Sequence, residues 1–305
     1  MDQFQVIADD LNKVHSAGWT VEHADVLFEV LGGFPRRGAR GEKSKMLEPP
    51  GSSRIYRYLT FAKFLSMLEL RALWMCRLGK LEDDFEGTLP SKVRELLTNE
   101  AQTWKKTFTD PRLQHQLDEM PDRNVLNGRA MLVVNCWFMG ESESEQMWKR
   151  YSTLDEGLAI RSTVDRLGKA VLFWDETTQI GRVQYVDFDE YEMDLYHGNQ
   201  ADERAMLKRK DYSYENEVRL ATLNYMCRAR LNADGSLPTQ RQLEGPGSFD
   251  PHRPGLYLHV DLNVLIEEVV TSPSAQLWFS NLVSTLCRRY ALRSKVRASS
   301  LCSFP

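Results

Sequence analysis

The 305-residue chain has no C-x-x-C pair, no G-x-G-x-x-G or G-x-x-x-x-G-K-[ST] loop, no H-E-x-x-H and no G-x-S-x-G. Those absences remove the common signatures of dinucleotide, triphosphate, zinc-protease and serine-hydrolase sites. Its five cysteines, Cys76, Cys136, Cys227, Cys287 and Cys302, are odd in number and widely spaced. That pattern fits reduced thiols in a cytoplasmic protein better than a disulfide framework or a zinc site. The six histidines are scattered with none paired at ligand spacing, so no metal is assigned. No uninterrupted apolar run approaches the ~20 residues that span a bilayer. The opening Met1-Asp2-Gln3-Phe4 lacks the basic and apolar regions of a signal peptide, so the expectation is a cytoplasmic chain without a membrane partner. Nor is there a basic excess: 39 Lys and Arg against 43 Asp and Glu give a formal net charge of −4, which argues against a general nucleic-acid coat protein.

What is present is an ordinary globular composition, 42% hydrophobic and 27% charged. Residues 1–34 read as two short helices, the second opened by Thr20 and stopped by Gly32-Gly33. A basic, Pro- and Gly-rich linker follows and sets a domain boundary near residue 53. The main domain, 54–305, begins with a strand at 55–59 and a helix capped by Thr60, with Phe61, Phe64, Leu65 and Leu68 as its inward stripe. A strand at 72–76 leads to an acidic turn, 82–86. Helices at 91–107 and 111–120 form a helical insert near 90–128, the first with Val93, Leu96, Leu97 and Trp104 inward. The apolar run 131–138 reads as a buried central strand. A helix through Met147, Trp148 and Tyr151 follows, its acidic start matched to the helix dipole. Further strands are expected at 157–161, 183–188, 214–223, 256–260 and 269–271. Residues 226–253 read as a long loop, and a last helix near 274–290 turns Leu277, Trp278, Leu282 and Leu286 inward. Without a βαβ rhythm, the fold class is α+β, with a mixed or mostly antiparallel sheet and flanking helices.

Three groups of residues invite chemistry. On the expected 214–223 strand, Glu215, Glu217 and Arg219 share one face, while Tyr214, Val218 and Leu220 share the other and pack on the core. The charged row then faces either water or a cavity, and the sequence leaves both open. The acidic turn 82–86 reads as a cation site, a structural turn or a cleft wall. The aromatics Trp137, Phe138, Trp148 and Tyr151 surround one strand-to-helix junction. Core packing accounts for most of them, with Trp148 or Tyr151 placed to stack on a planar ligand.

Taken in order, Tyr56-Arg57-Tyr58, Asp84-Phe85-Glu86, Met147-Trp148 with Tyr151 and Gly157, Glu215-Asn216-Glu217-Val218-Arg219, and Ser272-Pro273 through Trp278 and Tyr290 to Ser300-Leu301 form a pattern. It resembles the bacterial family known as domain of unknown function 2971, over roughly residues 54–302. That family in turn resembles the ADP-ribosyltransferase fold. The resemblance implies an ADP-ribosyltransferase-like core and an NAD-dependent transferase, in the setting of a bacterial toxin or phage-defence effector. It implies Glu217 as the carboxylate that stabilises the ribose cation, with Glu215 orienting the nucleophile. It also implies Arg57, Tyr58, Trp148, Tyr151 and Arg219 as the residues that hold NAD. The acceptor, whether a protein, a nucleic acid or water, is left open. The sequence departs from that pattern in having no Ser-Thr-Ser run on the 131–138 strand. Two other readings stand beside it: a non-catalytic nucleotide- or peptide-binding module, and a metal-dependent nuclease using Glu82, Asp83, Asp84, Glu86 and Glu217.

Overall fold

The structure, a computed structural model, describes residues 48–108, 111–153, 155–172, 178–193, 200–223 and 254–301. The two expected N-terminal helices, most of the linker and the 226–253 loop lie outside them.

Strand β1 (Arg54–Thr60) alternates Ile55, Arg57 and Leu59 on one face with Tyr56 and Tyr58 on the other. Thr60 caps α1 (Phe61–Leu70), its hydroxyl accepting the amide of Lys63. The helix ends where Arg71 takes a left-handed φ of 47°, and β2 (Ala72–Arg77) returns. Beyond the acidic turn, α2 (Ser91–Thr107) and α3 (Pro111–Met131) pack on each other through a separate apolar cluster that includes Val93, Leu97, Trp104 and Leu117. A helical end at residue 120 is expected because Pro121 costs about 3 kcal/mol inside a helix. Instead α3 runs through it to Met131, because packing against α2 outweighs the local penalty.

The central strand is β3 (Leu132–Met139), followed by α4 (Glu145–Tyr151) with Ser144 as its cap. Next come β4 (Gly157–Thr163), α5 (Val164–Ala170), β5 (Gln179–Arg182) and β6 (Gln184–Val186). The strand expected at 183–188 is the shorter β6, and β5 before it was not expected. The Val183 amide still bonds to Glu217, whereas that of Gln184 bonds to Met206, so the chain leaves one sheet for another at this point. Then follow α6 (Gln200–Ala205), β7 (Leu207–Arg209), a 3-10 helix (Lys210–Glu215), β8 (Glu217–Leu223) and β9 (Gly255–His259). The described chain ends with α7 (Leu262–Leu265), β10 (Glu268–Thr271), α8 (Leu277–Arg289) and β11 (Lys295–Ala298).

Nine of these strands form one sheet in the order β11-β10-β4-β1-β3-β2-β9, with β8 also on β3 and β5 on β8. All its pairings are antiparallel except β10 with β11, so the fold is α+β with a mostly antiparallel sheet. One sheet face carries the main core, where Ile55, Trp137, Val218 and Leu220 pack under α1, α5 and α8. The other face carries Tyr56, Tyr58 and Phe138 beneath α4.

Helix α8 turns only one of its four expected inward residues, Leu286, against the core. Leu277 is 76% and Trp278 56% exposed, and Leu282 is also exposed, while Phe279, Val283 and Cys287 are buried. The sequence offers two apolar stripes, and the one that places an aromatic against Phe61 at 5.5 Å wins the core. Leu65 of α1 and Leu96 of α2 are likewise exposed, with Met67 and Ala101 buried in their helices' inward stripes. Phe279→Ala is therefore expected to destabilise by about 3–5 kcal/mol, and Trp278→Ala by no more than about 0.5 kcal/mol. Urea titration of the two variants measures both, and similar losses would contradict this orientation of α8.

Candidate functional site

The site begins with a split in the sheet. One edge of β3 is paired with β8 from Leu132 to Phe138. The other edge is shared: β2 pairs with Val133 and Val134, and β1 with Phe138 and Met139. Between them, Asn135, Cys136 and Trp137 have no strand partner on that edge, and side chains take its place. Asn135 Nδ2 donates to the Trp74 carbonyl at 2.8 Å, while its Oδ1 accepts the Trp137 indole at 2.7 Å. Arg57 leans across from β1, over the Trp137 ring, and its guanidinium donates to the Cys136 carbonyl at 3.4 Å. A buried backbone group left without a partner is costly, so these bonds are what allow β1 and β2 to diverge.

A cavity of about 590 Å³ occupies the divergence. Registers decide which residues face it. Tyr56, Phe138 and Glu217 are successive cross-strand partners, as are Cys136 and Arg219, so all lie on one sheet face. The Val218 and Leu220 face packs on the core, and the charged face looks into the cavity rather than into water.

One part of the expected row is corrected. Glu215 is not on the strand: it ends the 3-10 helix, and Asn216 at φ 36° turns the chain into β8. Asparagine tolerates that left-handed backbone better than most residues, and its amide donates to the Met139 carbonyl. The Glu215 carboxylate nevertheless arrives beside that of Glu217, because Lys208 holds both.

Lys208 is the centre of the cluster. Its ammonium lies 3.3 Å from Glu86 and 3.2 Å from Glu217, and bonds to Glu215. Arg219 adds a bidentate pair to Glu217, with both bonds at 3.0 Å, approaches Glu86 at 2.7 Å and donates to the Ala205 carbonyl. Tyr151 donates to Glu215 at 2.6 Å, and Arg150 approaches the same carboxylate at 3.3 Å. All three carboxylates are buried. Burial by itself pushes the Glu217 carboxyl up, but the charges of Arg219 and Lys208 outweigh it and hold the group well below the ordinary carboxylate value. Burial likewise depresses Lys208, and Glu217, Glu86 and Glu215 reverse the sign, raising it. The Cys136 thiol is pushed well up, first by burial and then by Glu217, so it stays protonated.

The acidic turn forms a wall of the same cavity. Asp83 accepts the amide of Phe85 and pairs with Arg209, while Glu82 pairs with Arg150. Tyr212 packs against Arg150, Lys208 and Arg209 at 5.7, 4.8 and 5.5 Å.

Of the residues singled out from the sequence, Arg57, Tyr58, Tyr151, Glu215, Glu217 and Arg219 line the cavity. Trp148 does not. It is 1% exposed, its ring meets Tyr58 edge-on at 4.9 Å, and its indole donates to Glu143 at 3.1 Å. The helical position three residues before Tyr151 turns it to the sheet rather than to the opening. Tyr58 has its hydroxyl committed to the Ser144 amide at 2.8 Å. Sequence reasoning missed Lys208 as a site residue, along with Arg150, Trp74 and Tyr257. The one available signal for Lys208 was its place in a basic triplet just before the acidic row.

Arg57 differs from every other cation of the cluster. Among the described residues it has no carboxylate partner, only the Cys136 carbonyl and the Trp137 ring. Burial pulls it down to about 10, so it is charged at neutral pH. The carboxylates lie on the β8 side of β3 and Arg57 on the β1–β2 side, which makes the cavity electrostatically two-ended. Among the described residues, no helix is long and apolar enough to cross a membrane. Comparison with family models, curated proteins and solved structures returned no match to this chain.

Lys208→Met is expected to cost about 3–5 kcal/mol, since it leaves three buried carboxylates without their shared ammonium; an unchanged urea midpoint would contradict that. The depressed pKa of Glu217 gives a second expectation. Its ion pairs stabilise the fold fully above the ordinary value of 4.5 and are lost as the pH falls through and below it. Urea midpoints should decline in that window, and less steeply in Glu217→Gln.

Proposed function

We propose that the cavity binds NAD⁺ and transfers its ADP-ribose, in the manner of an ADP-ribosyltransferase. The observation that carries this reading is the two-ended cavity, with an anion-seeking Arg57 at one end and the carboxyl groups of Glu215 and Glu217 at the other. NAD⁺ has the matching charge pattern, an anionic diphosphate and a cationic nicotinamide ring. A guanidinium without a carboxylate partner suits a phosphate, to which its forked donors can bond in pairs. A cavity of 590 Å³ is within the ~300–1,000 Å³ common for small-molecule sites.

In the proposed reaction the bond between the nicotinamide nitrogen and ribose C1′ breaks, and neutral nicotinamide leaves with the electron pair. Positive charge develops on the ribose ring, as in glycoside cleavage, and a fixed carboxylate stabilises it. An acceptor nucleophile bonds to C1′ and loses its proton. Glu217 is the electrostatic partner of the ribose. Each carboxylate oxygen accepts more than one hydrogen bond, so Glu217 can take a ribose hydroxyl while Arg219 holds it. Glu215, with Tyr151 on its oxygen, is placed to receive the nucleophile's proton.

A binding module without catalysis is the rival reading, favoured by one observation: both oxygens of Glu217 are already engaged by Arg219. The nuclease reading is weaker. Its carboxylates are neutralised by Arg129, Arg150, Lys208, Arg209 and Arg219, which compete with any cation for the same oxygens.

The test follows nicotinamide release from NAD⁺ and transfer of labelled ADP-ribose into a cell lysate. Glu217→Gln should lower turnover by about 10²–10³, while Arg57→Met mainly raises KM. Thermal melts verify that both variants are folded. Stabilisation by NAD⁺ without turnover would leave the binding module, and equal turnover in Glu217→Gln would sink the transferase reading.

A further inference from the structure

We infer that Trp74 and Tyr257 form a stacking platform at the rim of the cavity for the purine ring of a nucleotide, with Lys63 and Arg57 taking the phosphate beside it. Trp74 on β2 and Tyr257 on β9 are register partners, and their rings meet edge-on at 4.9 Å and 61°. Register places both on the sheet face that carries Cys76, Cys136 and Glu217, and both line the cavity.

Their surroundings differ from those of the structural tryptophans. Trp137 and Trp148 are 1% exposed, and each has its indole N–H bonded, to Asn135 and Glu143. Tyr257 is 43% exposed. No described residue bonds to its hydroxyl or to the Trp74 indole N–H. Aromatic rings left open at a cavity mouth, with their polar tips free, suit a planar heteroaromatic ligand that offers a π-face and hydrogen-bonding edges.

The backbone is shaped to keep the indole there. Gly255 on β9 faces Cys76, and a Cβ at that position would lie 2.1 Å from the Met75 carbonyl and 2.7 Å from Trp74 Cζ2. Only glycine lets the ring lie over the neighbouring strand.

Charge completes the case. Lys63 of α1 lines the cavity without an ion-pair partner among the described residues, as does Arg57. The platform therefore shares its cavity with two uncompensated cations, which β1 and α1 contribute from the core face of the sheet. A base attached to a phosphate fits that order, with the base on Trp74 and Tyr257 and the anion over Arg57 and Lys63.

This inference rests on the nucleotide reading of the cavity, and three probes separate the two. AMP carries the purine and a phosphate, nicotinamide mononucleotide carries a phosphate without a purine, and NAD⁺ carries both. With the full chain, Tyr257→Ala and Trp74→Ala should each weaken AMP and NAD⁺ roughly tenfold or more, with nicotinamide mononucleotide unchanged. Tyr257→Leu, which keeps bulk at an exposed position, guards against loss of fold. An equal loss for all three ligands, or none for AMP, overturns the platform. AMP binding that depends on Trp74, without NAD⁺ cleavage, keeps the platform and removes the transferase. NAD⁺ cleavage untouched in Tyr257→Ala does the reverse. Failure of every nucleotide to bind removes both.

Discussion

One ammonium organises this site. Lys208 gathers Glu86, Glu215 and Glu217 from three segments: the acidic turn after β2, the end of the 3-10 helix, and the start of β8. Three buried carboxylates repel one another, and burial penalises each of them. They coexist because Lys208 and Arg219 stand between them. The arrangement is poor value as a source of stability, since apolar residues of similar volume would serve as well or better. What it supplies is position, fixing charged groups against one wall of a cavity.

The second constraint is the split sheet. Divergence of β1 from β2 exposes three residues of β3 that a continuous sheet would pair, and Asn135 and Arg57 take up the bonding. The cavity is the direct consequence. Arg57 is thereby both a structural strut and an unneutralised charge. Its opposition to the carboxylate cluster across β3 gives the cavity its polarity.

Much of this was legible in the sequence where a local rule governs. Alternation identified the face of Glu217 and Arg219, Thr60 announced its helix, and the apolar run at 131–138 became the central strand. What stayed hidden depended on tertiary contacts. The turn at Asn216 moved Glu215 off the strand, although Lys208 restored its neighbourhood to Glu217. Two apolar stripes on α8 competed, and only packing against Phe61 decides between them. Trp148 looked available because helical spacing says which residues share a face, not which face meets the sheet. The pairing of Trp74 with Tyr257 joins β2 to β9, residues 183 apart in the chain (257 − 74), a register that no local pattern encodes.

Glu143 links distant parts of the chain in a way that bears on folding. It accepts the Trp148 indole from α4 and also bonds to Arg297, Ser299 and Ser300 around the edge strand β11. The contact with Ser300 spans 157 residues. Closing so long a loop is entropically expensive and slow compared with local helix formation. The helix that brings Arg150 and Tyr151 to the cavity is thus secured from the far end of the described chain, which couples that wall of the cavity to the seating of β11.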